Sequence, residues 1–432
     1  MTDTQLASTT TQPATTGLLT GPLAFLRRGW ASLDAVQRGL WGLMILRLVI
    51  ALIFMLDILP LDLRFRWFLH HGGDQDDMMA LAISIVGGHP QPSVVGVGQA
   101  LVMIPWIALF NTQNYFKIVA PLVLINGFLF GGLSVPVLGG IARRTTGDDR
   151  VALWSAALWA VLPLLTYFAF FWHFDPVLLR SANVPKIGWL NGLSDGPATF
   201  FLMLAVLLLA GAEREGEKFP LWRMAGAGAA MGVAVMYRVH VAPMVAFLLA
   251  YVLVARGWRS LLVVCLGGLV AYTPQAWYNQ VVFGFPITTG YISYFTVRSG
   301  EGALSLGFLR NLPYHPRHVM ELINYFIGRR PWLLAPLVLA GLAGLYTLIT
   351  LWRRRGWRAV ALLIGSPLAY IGPMATAWPF RDDVIRFSLP ALPFFIVAGV
   401  YAVRTAQGTL TARRRKRETA NDSDTPTGKE ND

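Results

Sequence analysis

Apolar blocks of about 20 residues, separated by short arginine-rich loops, constrain this chain more than any other feature. A helix needs about 20 apolar residues to cross the hydrocarbon core of a bilayer. Helices and closed barrels are the structures that satisfy every backbone N–H and C=O there. The blocks read as about ten spans: Leu40–Leu59, Phe116–Ile141, Val151–Phe171, Ala198–Gly211, Leu221–Met236, Val239–Ala255, Ser260–Tyr278, Trp332–Trp352, Val360–Trp378 and Val384–Val403. Composition agrees. Hydrophobic residues make up 55% of the 432 and charged residues only 14%, against ~25% charged in soluble domains. The expected fold class is an all-α integral membrane protein.

The loops set the orientation. Arg27, Arg28 and Arg38, then Arg143, Arg144 and Arg150, Arg256 and Arg259, the run Arg353-Arg354-Arg355 and the tail Arg413-Arg414-Arg415-Lys416-Arg417 all fall on one side if the spans are as read. That side is expected to be cytoplasmic, with both termini on it, in the inner or plasma membrane of the cell. Arg47 lies within the first span and is expected to snorkel to that face. Val94–Phe110 is apolar enough to span, but counting it would break the pattern of bases. It reads as a helix lying at the outer interface. Three expected parts follow: a polar cytoplasmic segment, 1–37; a transmembrane domain, 38–404; and a basic, then disordered, cytoplasmic tail, 405–432. Residues 1–37 lack the pattern of a cleaved signal, so the first span is expected to act as its own signal.

The net charge of +13 needs no nucleic acid. Much of it lies in short loops, where membrane orientation puts it, and there is no compact basic domain interleaved with aromatics. The single cysteine, Cys265, excludes an intrachain disulfide and a cysteine zinc site, and reads as a small buried apolar side chain. No phosphate-loop or zinc-helix motif occurs. His315 and His318 flank Arg317 and read as loop residues.

The outer face carries long loops, and loops this long in a compact protein are usually functional. They hold bases such as Lys186 and Arg298 that orientation does not explain. The first contains Asp74-Gln75-Asp76-Asp77. Acids at this point fit either a charged helix start, favoured by the dipole, or a general base or metal ligand at the membrane surface. Ser194-Asp195-Gly196-Pro197 opens a later span, and it too is either a helix start or a site. Arg386 stands at the outer end of the last span, facing a lipid headgroup or a substrate phosphate.

Together these residues resemble the GT-C superfamily of membrane glycosyltransferases, which use polyprenyl-phosphate-linked sugars and include protein O-mannosyltransferases and lipid A aminoarabinose transferases. From Asp74 the register continues through Met78, Ala82, Ile85 and Gly88, with Met78 where the family has an aromatic. A proline-containing stretch from Pro92 through Phe110 resembles the family's interfacial helix, and Lys117 stands where arginine is more common. Asp195 matches the family's second aspartate. The segment from Tyr278 to Tyr291, with Gly284-Phe285-Pro286, and the segment Arg386-Phe387-Ser388-Leu389-Pro390 resemble later family segments.

The resemblance implies a GT-C-like fold whose large first outer loop carries interfacial helices. It implies inverting transfer of a sugar from a polyprenyl-phosphate donor to a lipid, glycan or protein acceptor. Asp74 would be the base, and Asp195 would hold the acceptor or orient a cation. Lys117, Arg238 and Arg386 would face the donor phosphate, with Asp76, Asp77 and Tyr291 also binding substrate. Some relatives use a divalent metal and others do not. A multi-span lipid or solute transporter or flippase is the competing expectation. It would place ionisable residues deep in the spans, where Arg47 and Arg238 are the main examples, and its usual internal repeat is not evident.

Overall fold

Apolar length sets the helices, and prolines and glycines decide where they break. The computed structural model describes residues 33–59, 74–171, 183–210, 220–287, 290, 316–329, 334–376 and 384–423. Tyr291, His315 and most of the segment 1–37 lie outside the described residues. Helix α1 is Ala35–Met55. Asp34 caps it by accepting the Gln37 amide at 2.7 Å, and Gln37 Oε1 accepts the Asp34 amide at 3.0 Å. This reciprocal pair satisfies two otherwise orphaned donors. Then come α2, Asp74–Val86, and α3, Val97–Phe110. A long helix follows in three parts: α4, Tyr115–Val123, a π-helical stretch Leu124–Phe130, and α5, Gly131–Thr146. Helix α6 is Asp149–Phe171, α7 is Asn183–Gly188 and α8 is Asp195–Leu209.

Helix α9, Leu221–Tyr237, passes through a single 3-10 turn, Val239–Val241, into α10, Ala242–Arg256. Helix α11 is Trp258–Phe283 and α12 is Pro316–Arg329. Helix α13, Leu334–Val360, is interrupted at Gly356, whose φ of 76° reverses the chain. A second π-helical stretch, Ala361–Gly365, leads into α14, Ser366–Ala375. The last two are α15, Val384–Ser388, and α16, Leu392–Ser423.

The chain is an integral membrane protein. Among the described residues six helical stretches are long and apolar enough to cross a membrane. One of them, Val338–Ala375, contains the Gly356 turn and so covers two of the expected spans. Others are shorter, α8 being 15 residues, so length and apolarity do not establish a count of about ten. The segment expected to lie at the interface is helical, as α3. It packs with α2 over the ends of α9 and α11, where Met78, Met79, Ala82, Ala100 and Met103 bury against Met236 and Tyr278. Gln275 of α11 accepts the Val97 amide at 2.9 Å, and the Tyr278 hydroxyl donates to the Gln91 carbonyl at 2.8 Å. These bonds hold the segment 91–97 on helix α11.

Three expectations are corrected. Arg47 does not snorkel. It is 1% exposed and donates to the carbonyls of Trp159 at 3.3 Å, Ala160 at 3.5 Å and Ile187 at 2.7 Å. Pro163 has no N–H, so the Trp159 carbonyl four residues earlier lacks its helical donor, and the guanidinium takes that place. The last span is not one helix. Pro390 disfavours helix at the residue before it, and α15 ends in tight turns in which Leu389 N–H donates to the Arg386 carbonyl at 3.2 Å and Ala391 N–H to Ser388 at 2.9 Å. The helix carrying the basic tail runs to Ser423, and residues 424–432 of the expected tail lie outside the described residues. Cys265 is partly rather than fully buried.

Helices α9 and α11 approach closely because glycines line the seam. A Cβ added at Gly228 would strike the Val264 carbonyl, and one at Gly232 the Gly268 carbonyl. Small residues four apart let membrane helices meet backbone to backbone. Gly228→Ala is therefore expected to destabilise the protein by about 1–3 kcal/mol, the usual cost of overpacking. A lowered unfolding midpoint in detergent would show it; an unchanged midpoint would mean that the seam can open freely.

Candidate functional site

Four helix boundaries meet at one point. Asp74 is the first residue of α2 and Asp195 the first of α8. Arg238 is the C-cap of α9, extended at φ −153° and ψ 106°, and joins it to the 3-10 turn. Arg386 lies on α15, within the short helix that Pro390 forces. Arg386 donates from Nη2 to Asp74 Oδ2 and from Nε to Asp195 Oδ2, the latter at 3.0 Å. Arg238 Nη1 pairs with the other carboxylate oxygen of Asp195. The result is a chain of alternating charges, Asp74–Arg386–Asp195–Arg238, that links residues up to 312 apart in sequence.

The two carboxylates differ in access. The Asp195 side chain is 5% exposed, whereas that of Asp74 is 38% exposed. Asp195 is therefore a buried clamp for two guanidinium groups, and Asp74 is the carboxylate open to solvent. Phe387 stiffens the arginines. Its ring centroid lies 4.9 Å from the Arg238 guanidinium carbon and 5.5 Å from that of Arg386, within cation–π reach.

Asp195 is positioned by the turn before it. Trp189, next after α7, adopts φ 61°, a left-handed conformation rare for a bulky residue. Its amide donates to the Lys186 carbonyl at 3.1 Å, and Leu190 N–H donates to Pro185 at 2.8 Å, the bonding of a helix end that usually has glycine. Packing compensates for the strain. The Trp189 ring meets Trp159 edge-on at 6.0 Å and lies where a side chain at Gly196 would be, 2.6 Å from a Cβ there. Trp159 is fixed in turn by donating to Ser134 Oγ at 2.7 Å. Below them, Arg47 holds the Ile187 carbonyl. On the other side Gln75, beside Asp74, donates to the Asn191 carbonyl at 2.6 Å, and the Tyr115 hydroxyl donates to it at 3.3 Å. Both aspartates thus hang from one short segment, 189–195.

Of the expected site residues, Asp74, Asp195, Arg238 and Arg386 come together. Asp76 is partly buried and within electrostatic reach of Tyr115. Asp77 is the most exposed of the three acids, and what desolvation it has at the helix start, then the charges of Asp74 and Asp76, push its carboxyl above the usual range. Lys117 is exposed on α4, and no hydrogen bond or ion pair among the described residues joins it to the cluster. The lysine within electrostatic reach of Asp195 is Lys186 of α7 instead. His240 also stands beside the cluster and feels Arg238, Asp195, Arg386 and Asp74. Of the two, the sequence pattern marks only Lys186, as an outer-loop base that orientation does not explain. The signals were there, in a lysine followed by an apolar run on an outer loop and in Arg238-Val239-His240 interrupting two apolar blocks.

Among the described residues no group of three or more His, Cys, Asp and Glu side chains could hold a metal ion. Both oxygens of Asp195 face guanidinium groups, a donor set that does not fit a divalent cation.

No family model and no curated protein sequence matches the chain. Solved structures do. A crystal structure of the Archaeoglobus fulgidus oligosaccharyltransferase in complex with Zn and sulfate superposes with a TM-score of 0.52 at 15% identity, covering 86% of this chain and 50% of that one. The Archaeoglobus fulgidus oligosaccharyltransferase AglB, in complex with an inhibitory peptide and a dolichol-phosphate, gives 0.49 at 15% identity, with 87% and 52% covered. ArnT from Cupriavidus metallidurans, bound to undecaprenyl phosphate, gives 0.48 at 15% identity, with 84% and 60% covered. These neighbours are GT-C glycosyltransferases. The chain spans half to about three-fifths of their length. At this identity the likeness is one of fold, and the Zn and sulfate complex carries it.

Proposed function

We propose that this protein transfers a sugar from a polyprenyl-phosphate-linked donor to a lipid, glycan or protein acceptor. Transfer takes place at the membrane face opposite the basic tail, in the cell's inner or plasma membrane with both termini cytoplasmic. The observation that carries the reading is the charge chain itself. It pairs one accessible carboxylate with a buried guanidinium group, Arg238, and a partly buried one, Arg386, at the junction of an outer helix and the spans. The fold shared with the archaeal oligosaccharyltransferase is consistent with it.

In this reading the donor's isoprenoid tail lies among the spans and its phosphate meets Arg386 and Arg238. Asp74 accepts the proton of the acceptor hydroxyl as that oxygen attacks the anomeric carbon. The bond from that carbon to the phosphate oxygen breaks on the opposite face, so configuration inverts. Fixed cations neutralise the charge that develops on the leaving phosphate, and a guanidinium offers two parallel donors to it. Lys186 adds a further positive charge. Asp195 acts as the positioning residue, holding both arginines while the phosphate draws Arg386 away from Asp74 and frees the base. Asp76 and Asp77 line the approach, and Tyr291 is assigned to substrate binding by its family resemblance.

Polyprenyl phosphate, the leaving group, is the direct probe of donor recognition. Arg386→Met is expected to weaken its binding about 10- to 100-fold, the range for losing a hydrogen bond to a charged group. The check is titration of the purified protein in detergent. Unchanged affinity would remove Arg386 from the phosphate site.

A further inference from the structure

Gln75 is buried at the start of α2, at 3% exposed, between Asp74 and Asp76, which are both partly exposed. The proposed reaction leaves it unused. Its Nε2 donates to the Asn191 carbonyl at 2.6 Å. That carbonyl lies in the segment between α7 and α8, shortly before Asp195.

The segment is built to hold that carbonyl still. Leu193 N–H donates to Asn191 Oδ1 at 3.4 Å, closing an Asx turn. Gly192 stands between them at φ 68°, and a side chain there would strike the Tyr115 hydroxyl. That hydroxyl donates to the same Asn191 carbonyl at 3.3 Å. A carbonyl oxygen has two lone pairs, so it accepts both donors.

Two donors are more than burial demands, since one partner satisfies a buried carbonyl. Tyr115 supplies that partner from α4. What distinguishes Gln75 is its neighbour. Asp74, one residue away, is paired with Arg386, and Arg386 donates to Asp195 at 3.0 Å. Adjacent residues of α2 thus tie its N-terminus to the Asp195 unit twice, once by a charge pair and once by a neutral hydrogen bond. The apolar packing of α2 lies further along, where Met78, Met79 and Ala82 bury with α3 against Met236 and Tyr278.

The two ties respond differently to a donor. In the proposed reaction a phosphate draws Arg386 away from Asp74. The charged tie then breaks at the moment when Asp74 must face the acceptor hydroxyl. The amide of Gln75 is buried and neutral, and a phosphate has no such hold on it. We propose that Gln75 is a positioning residue that keeps Asp74 placed against Asp195 once Arg386 has moved to the donor phosphate. This rests on the transfer proposed for the same site and adds to it the group that holds the base. Reaction geometry is strict enough for the tie to matter, because a misplacement of about 1 Å can cost about 10²-fold in rate.

The test sets Gln75→Met beside Tyr115→Phe in the purified full chain. Each removes one donor from the same carbonyl and leaves it the other. In Gln75→Met, turnover at saturating donor is expected to fall about 10- to 100-fold. Polyprenyl phosphate should still bind as tightly as to wild type, and to the same fraction of the protein. Tyr115→Phe is expected to keep most of its turnover. Hydrogen exchange gives a reading that needs no transfer. Polyprenyl phosphate should speed exchange of amides 78–81, which bond back to the first turn of α2, in Gln75→Met and not in wild type. Should Gln75→Met not fold, Gln75→Asn, which keeps the amide and loses its reach, takes its place. A merely structural tie would act alike through either donor, and would lower the fraction of protein that binds without changing turnover per bound donor. That pattern, or full turnover by Gln75→Met beside an active wild type, would overturn this inference alone. Wild type that neither binds polyprenyl phosphate nor transfers from any donor would overturn the proposed function and this inference together.

Discussion

Asp74→Asn is expected to lower sugar transfer by about 10²–10⁴-fold, the usual contribution of a general base, while leaving the protein folded. The side chain is 38% exposed, so losing its charge leaves no buried group unpaired. Arg386 keeps its bond to Asp195 at 3.0 Å, and Asn preserves the shape at the start of α2. The effect should therefore fall on turnover at saturating donor, while polyprenyl phosphate binds at least as tightly as to wild type, because it no longer competes with a carboxylate for Arg386. Steady-state rates beside an unfolding midpoint separate the two. Full transfer by a folded Asp74→Asn protein would eliminate Asp74 as the base, leaving Asp76 and Asp77 as the remaining acids of that turn.

Arg238→Met is expected to act on the fold itself. Arg238 and Asp195 are both nearly inaccessible, at 7% and 5%, and Asp195 meets Arg238 through one carboxylate oxygen and Arg386 through the other. Removing one partner of a buried pair costs about 3–5 kcal/mol, because the remaining charge stays out of water. Replacing both members need not cost as much. The Arg238→Met/Asp195→Asn double variant is expected to recover part of the loss, with a coupling of about 0.5–3 kcal/mol against the Arg238→Met and Asp195→Asn singles. Denaturation of the two singles and the double in the same detergent measures it. Arg238→Met as stable as wild type would mean that solvent reaches Asp195 and that the charge chain is not a closed unit.

Much of this site was legible in the sequence, for a physical reason. Asp74, Asp195, Arg238 and Arg386 each interrupt an apolar block or stand at its edge, where a membrane chain tolerates charge only if something pairs with it. What the pattern could not supply was direction. Lys117 and Lys186 look equivalent as lysines on the outer side, yet α4 turns one to the surface and α7 brings the other toward Asp195. Arg47 has the reach to snorkel, and its inward course depends on the carbonyl that Pro163 leaves without a donor on a different helix. Pro390 was visible too, but prolines are tolerated within membrane helices. The Pro136 and Pro274 sites remain inside helices, while Pro390 ends one.

Donor use by the purified wild-type protein decides the matter: release and transfer of labelled sugar from a panel of polyprenyl-phosphate sugars, with the anomeric configuration of the product recorded. Transfer from one donor, with inversion, is the expected result. Tight binding of polyprenyl phosphate with no turnover of any donor would contradict it and identify a carrier in place of a transferase.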